Sequence, residues 1–511
     1  MTFIKAHRER TKKYAELADP NHIAQWLLEC GYYPEQNILP PCFQVSEFKL
    51  KESAIIDVST LDKRDKAELI NVVYPKNKIH DRTFSIQHPK YYHDLVYHIS
   101  KNWNFVREFL FDEENKIYSY SLPIPINALS ANLGIPLRSG RMIYEWLEMA
   151  EEDLVADAYE YDYLVKTDVT NFYKSIYTHS ISWALHTREK SLEDLSANVG
   201  DRYQLVGNKI DRLMQYANDR KSNSIPIGSS LSDLVAEIIL SDIDTKVSMK
   251  LKKEKIDFLA TRFKDDYRFL CKNEEKSKQI IRILSEELDK YNLLISVDKT
   301  NLFRLPNGLY RDHIREYQLL ALRRKELDFK SFEYTLLNTL DIHRKYPGTS
   351  ILEKFLSDIV DSNHKLKVTV REKKDVLKML SLLVFITKES PKTLCHVLAI
   401  IELLYLKFKK VKDITDKIKH IVGIEIEKSI EENSAFSFIW YVFFSKYLGL
   451  NVRYTIDKNS ELYRNLLVQS IDQSKQLFFT DYNEGKFFVN PKKAVKQNLA
   501  KTLDVFYRPM Q

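Results

Sequence analysis

Between about residues 160 and 310 the spacing of apolar side chains switches between a period of two and a period of about 3.6. The order this spells is strand, helix, hairpin, helix, strand, which confines the segment to a mixed α+β layout. Tyr163 to Thr167 reads as a strand ending in Asp168. After Gly228, Leu231, Leu234, Val235, Ile238 and Ile239 fall on one helix face and would pack on a sheet. Residues 258–271 alternate on either side of Lys264-Asp265-Asp266, with Phe263, Tyr267 and Phe269 favouring strand, so a hairpin is predicted with the acidic pair at its turn. Ile280, Leu284, Leu288 and Tyr291 mark another helix, and Leu293 to Val297 reads as a short strand.

The flanks differ. Residues 1 to about 155 are irregular, with a helical stretch from Tyr92 to Leu110 and with Pro123, Pro125 and Pro136 as breaks. Beyond about 320 helix starts recur at Ser350, Ser390-Pro391 and Ser434, 40 and 44 residues apart. That is near the roughly 40–47 residues of HEAT-type helical pairs, without a repeated sequence pattern. Gly449 is placed to cap the aromatic helix that contains Trp440, Tyr441 and Phe444.

Composition narrows the class. With 44% apolar and 29% charged residues the chain is a folding one, and 511 residues imply at least two cores. A net charge of +7 suits a polyanionic partner without demanding one. Cysteines 30, 42, 271 and 395 have neither metal-ligand spacing nor disulfide density, so a reducing cytosol is expected. No apolar stretch approaches the roughly 20 residues of a membrane span, and no membrane association is expected.

Asp168 at a strand end and Asp265-Asp266 at a hairpin turn are the chemistry-bearing groups. Singly, each has a structural explanation as a cap or a turn. Together, adjacent carboxylates repel and call for a cation. Two hard divalent ions on oxygen ligands meet that need, and such pairs drive in-line phosphoryl transfer. Between them stands Ile225-Pro226-Ile227-Gly228-Ser229-Ser230, where Pro and Gly make a turn and the helix N-terminus that follows suits a phosphate or sugar.

These segments resemble the motifs of reverse transcriptases: Asp168 to Tyr173 the first palm motif, Pro226 and Gly228 to Ser232 the second, Phe263 to Asp266 the third, and Lys299 the fourth. The run Tyr177-Thr178-His179-Ser180-Ile181 before Trp183 is similar to the bacterial abortive-infection branch, the AbiK-like phage-defence polymerases. The resemblance implies an α+β reverse-transcriptase-like domain over 1–315, with fingers to about 159 and palm to about 315, then an all-helical, HEAT-like domain over 320–511. It implies a cytoplasmic bacterial nucleotidyltransferase with two Mg²⁺ ions, for which Mn²⁺ is a substitute. Asp168, Asp265 and Asp266 would be catalytic and metal-binding, with the Val169 carbonyl as a further ligand. Tyr173 would exclude a 2′-hydroxyl beneath the sugar, and Gly228 and Lys299 would contact the nucleotide. Arg138 and Arg141 would bind triphosphate, for which arginine has the geometry. The implied partners are dNTPs, a single-stranded DNA product and further copies in a homo-oligomer.

The chain departs from template-copying relatives at Ile227, where Gln is usual, and in Phe263-Lys264 of the third motif. No primer-grip motif follows Pro306. The abortive-infection branch makes DNA without a template from a protein hydroxyl, and that is the activity the resemblance implies. The alternatives are a template-directed reverse transcriptase and an inactive palm serving as a scaffold.

Overall fold

The computed structural model describes residues 2–35, 37–77, 80–124, 146, 149–198, 200–320 and 326–506. Its strands are β1 (Ile70–Pro75), β2 (Asp81–Ile86), β3 (Ile117–Ser119), β4 (Tyr163–Asp168), β5 (Phe258–Phe263), β6 (Asp266–Cys271), β7 (Asn301–Arg304), β8 (Leu327–Asp328) and β9 (Val368–Thr369). Two compact units form. One comprises 1–34, 47–69 and 85–310, the other 35–46, 70–84 and 311–511.

The first unit is built on a five-stranded sheet in the order β3-β5-β6-β4-β7. β3 runs parallel to β5 and the other pairs are antiparallel. Aromatic and β-branched residues place β5 and β6 as a hairpin, in which Phe263 faces Asp266 and leaves Lys264-Asp265 as a two-residue turn. β4 lies on the other side of β6, and its last residue, Asp168, is directly opposite Asp266. The helix after Gly228 spans Ser230–Lys253, with Ser229 as N-cap accepting from the Ser232 N–H. It is buried nearly all round, including Ser232, Glu237, Ser241 and Asp244, and not on a single apolar stripe.

Leu293 to Val297 is not a strand. Leu294 and Val297 are exposed, Val169 and Ile295 make a lone bridge, and the edge strand beside β4 is β7. The stretch from Tyr92 to Leu110 is two helices, Pro89–Lys101 and Trp103–Leu110.

The second unit is helical, apart from the short parallel β8–β9 ladder and the β1 and β2 segments. Helices Lys373–Glu389, Leu394–Phe408, Lys412–Glu431 and Ala435–Leu448 each touch the next and the next but one, as stacked helical pairs do. Gly449 ends the last of these at φ +66°, the left-handed conformation a helix C-terminus favours. Trp440 donates to the Ile38 carbonyl at 3.3 Å and Tyr74 meets Phe436 edge-on, so the 35–46 and 70–84 segments complete this core. The four cysteines are free thiols. Among the described residues no helix is long and apolar enough to cross a membrane.

Candidate active site

Because β4 and β6 are antiparallel neighbours, their ends bring Asp168 and Asp266 to one place, and the turn adds Asp265. The Val169 N–H donates to the Asp265 carbonyl at 3.1 Å, and the Ser296 N–H donates to the Asp168 carbonyl at 2.7 Å. Like charges placed opposite each other on neighbouring strands repel. Burial, then Asp168, raises the Asp265 pKa above the ordinary carboxylate range. Asp266 is pushed up to about 6 by burial, with Arg268 opposing and Asp168 and Asp265 adding to the rise. Lys299 brings a counter-charge: its ammonium lies 2.8 Å from Asp168 Oδ2.

Backbone hydrogen bonds tie the first two motifs together. Asn171 turns the chain at φ +48°, the Ile225 N–H donates to the Tyr173 carbonyl at 3.0 Å, and the Ser224 N–H to that of Ile176 at 2.8 Å. Gly228 sits at φ +133°, which side chains disfavour. The Ile227 carbonyl beside it accepts from the Ser85 N–H. Tyr173 is half-buried. Its hydroxyl donates to Asp233 Oδ1, and burial followed by that carboxylate raises its pKa well above the phenol range.

A buried cluster of charge lies beneath the turn. Arg262, wholly buried, donates to Glu237 at 2.9 and 3.1 Å and to Asp244 at 2.8 Å. It also reaches the Lys264 carbonyl at 3.0 Å. The Lys264 N–H donates to Ser121 Oγ at 2.7 Å, and that hydroxyl donates to Glu237. Lys264 has φ +51°, uncommon for a residue with a side chain, and these two bonds hold it there. Burial opposes the Glu237 charge, but Arg262 and Ser121 more than offset it and its pKa falls; for Asp244 burial prevails and the pKa rises to about 6.

The sequence reading therefore meets a structure in which Asp168, Val169, Tyr173, Gly228, Asp265, Asp266 and Lys299 belong to segments joined around one sheet end. Arg138 and Arg141 lie outside the described residues. The reading missed Asp233, Glu237, Asp244, Arg262 and Ser121. A signal was present: Asp233, Glu237 and Asp244 recur at helical spacing among Leu234, Ile238, Leu240 and Val247, and buried acids need a cation.

A family model for reverse transcriptase (RNA-dependent DNA polymerase) matches residues 127–338. No curated protein matches the chain. Among solved structures, apo telomerase from Candida tropicalis is 14% identical at a TM-score of 0.34, covering 76% of this chain and 70% of its own. Telomerase from Candida albicans in complex with a fragment of telomeric RNA is 14% identical at a TM-score of 0.29, with 74% and 65% covered. Likeness this low carries no functional argument. The family match defines the class: the chain carries a reverse-transcriptase domain with the corresponding α+β fold and is a nucleotidyltransferase of the polymerase type.

Polymerases of this type generally use divalent metals. The donor set fits such an ion in kind, since three carboxylates supply hard oxygen ligands and two of them are raised partly by mutual repulsion. It is not pre-arranged as a coordination shell. Among the described residues no three acidic, His or Cys side chains converge closely enough, and Asp168 is paired with Lys299.

Proposed function

We propose that the protein is a metal-dependent DNA polymerase of the abortive-infection kind, which extends a hydroxyl of the protein itself without copying a template. The observation that carries the polymerase part is the meeting of Asp168, Asp265 and Asp266 at the ends of adjacent strands within a reverse-transcriptase domain. The template-independent part rests on the Tyr177 to Ile181 run and on the apolar Ile227, which cannot make the hydrogen bond of the usual Gln.

In this reading Asp168 and Asp265 hold the metals, the Val169 carbonyl assists, and Asp266 adds negative charge beside them. Two divalent ions would neutralise the triphosphate and activate the attacking hydroxyl. Lys299, exchanging Asp168 for a phosphate oxygen, steadies the leaving pyrophosphate. Tyr173 lies under the sugar and excludes a 2′-hydroxyl, while Gly228 lets the nucleotide approach the backbone.

Charge distribution favours a polyanionic product. Residues 365–419 hold 14 Lys and Arg against 6 Asp and Glu, a surplus of 8 where the whole chain has 7.

The test is incubation of purified protein with Mg²⁺ and labelled dNTPs in the absence of nucleic acid. The reading expects label that stays with the polypeptide after denaturation and is released by protease as DNA carrying a short peptide. Product that separates freely without protease excludes protein priming. A template-directed reverse transcriptase is the second reading, favoured by the family description itself; it requires incorporation to depend on added template and primer.

A further inference from the structure

Asp233 occupies the first turn of the helix Ser230–Lys253, and the polymerase reading gives it no task. Helix capping does not explain it either, because Ser229 already accepts from the Ser232 N–H. Its side chain is only 12% exposed, and both oxygens are engaged far from their own helix. Oδ1 accepts from the Tyr173 hydroxyl and Oδ2 from the Lys264 ammonium at 3.0 Å. The same ammonium lies 6.0 Å from the centre of the Tyr173 ring. One carboxylate thus joins the aromatic that follows Asp168 to the residue that precedes Asp265.

We propose that Asp233 is a positioning residue that fixes the Tyr173 ring for sugar selection and holds the Lys264 ammonium away from Asp265. A tyrosine ring turns about two side-chain bonds, and a charge-assisted hydrogen bond at its tip restricts both. Lysine is a compact charge on a flexible stem. Released from Asp233, it would turn to the neighbouring acidic pair and compete with a divalent cation there. Discrimination at the sugar and metal affinity at the turn then depend on the same side chain. The inference rests on the reading of Asp265, Asp266 and Tyr173 as the polymerase site.

The experiment uses the full chain with two readouts: the ratio of dNTP to rNTP incorporation, and the Mn²⁺ concentration at the midpoint of metal-induced thermal stabilisation. Tyr173→Phe and Asp233→Ala should each lower the ratio roughly tenfold, as loss of a hydrogen bond to a charged group does. The double variant should lose no more than either alone, the mark of a shared interaction. Asp233→Asn, which keeps the shape and an acceptor for the tyrosine, should hold the ratio near the parent's but raise the Mn²⁺ midpoint. Adding Lys264→Met to Asp233→Asn should restore that midpoint, which a purely structural role would not do. A parental ratio in Asp233→Ala, additive losses in the double variant, or a midpoint that Asp233→Asn leaves unmoved overturns the proposal. Should the parent incorporate no nucleotide, the polymerase reading fails, and the Mn²⁺ midpoints, which need no turnover, still decide the role of Asp233 toward Lys264.

Discussion

Replacing Arg262 with methionine removes the guanidinium that pairs with two buried carboxylates, Glu237 at 2% and Asp244 at 0% exposure. Breaking one side of a buried ion pair costs about 3–5 kcal/mol because the remaining charge is stranded. With two acids stranded the upper end applies, against a total stability of about 5–15 kcal/mol for a typical folded protein. Burial holds the Asp244 pKa at about 6 even with Arg262 opposing it; without Arg262 it rises further, so Asp244 escapes part of the penalty by taking up a proton and the cost should shrink as the pH falls toward about 6. Urea unfolding followed by tryptophan fluorescence measures it. A triple variant, Arg262→Met with Glu237→Gln and Asp244→Asn, removes the stranded charges and should recover most of the loss. It should not recover activity, because the Lys264 carbonyl has lost its donor and a shift of about 1 Å in the acidic turn costs roughly 100-fold in rate. An Arg262→Met variant within about 1 kcal/mol of the parent, or a triple variant no more stable than the single, refutes the stranded-charge argument.

Three further outcomes are expected. Gly228→Ala places a side chain at φ +133° and should destabilise by about 1–3 kcal/mol with a fall in activity, read by thermal melting and dNTP incorporation. The Asp211 hydrogen bond raises the His179 pKa above its unfolded value. The stability it contributes is complete below the unfolded pKa and lost as pH rises through the folded one, so Asp211→Asn should cost more at about pH 6 than at about pH 9. Asp266 titrates at about 6 and Asp265 is raised, so the apo protein loses stability as pH rises through about 6, whereas metal needs both groups charged. Stabilisation by Mg²⁺ in thermal melts should therefore be larger at about pH 8 than at about pH 5.5, with dNTP incorporation following it.

Much of the site was legible in sequence because strand and helix periods differ. The β4 strand ending in Asp168, the hairpin centred on Lys264 to Asp266, the helix after Gly228 and the Gly449 cap all follow from local pattern and turn chemistry, although Asp266 opens β6 and the turn proper is Lys264-Asp265. The edge strand was not legible. Leu293 to Val297 has more apolar residues, yet Leu294 and Val297 face solvent while Asn301–Arg304, with only Leu302 and Phe303 apolar and both half-buried, pairs with β4, since an edge strand needs backbone partners more than burial. The Arg262 network was hidden for a different reason. Its members are 18 and 25 residues apart in sequence, and only the packing of a helix on a sheet brings them together. Nor does any local signal show that residues 35–46 and 70–84 fold with the helical unit.

The proposed role of Asp168 and Asp265 is to hold the metals that drive nucleotide addition. It is tested most directly by dNTP incorporation measured side by side for the parent, Asp168→Ala and Asp265→Ala over a Mg²⁺ and Mn²⁺ series, with circular dichroism to establish that each variant folds. The parent should incorporate dNTPs in a reaction that a chelator abolishes, and both folded variants should lose about 100-fold or more at every metal concentration. Parental incorporation by a folded Asp265→Ala variant would contradict that role.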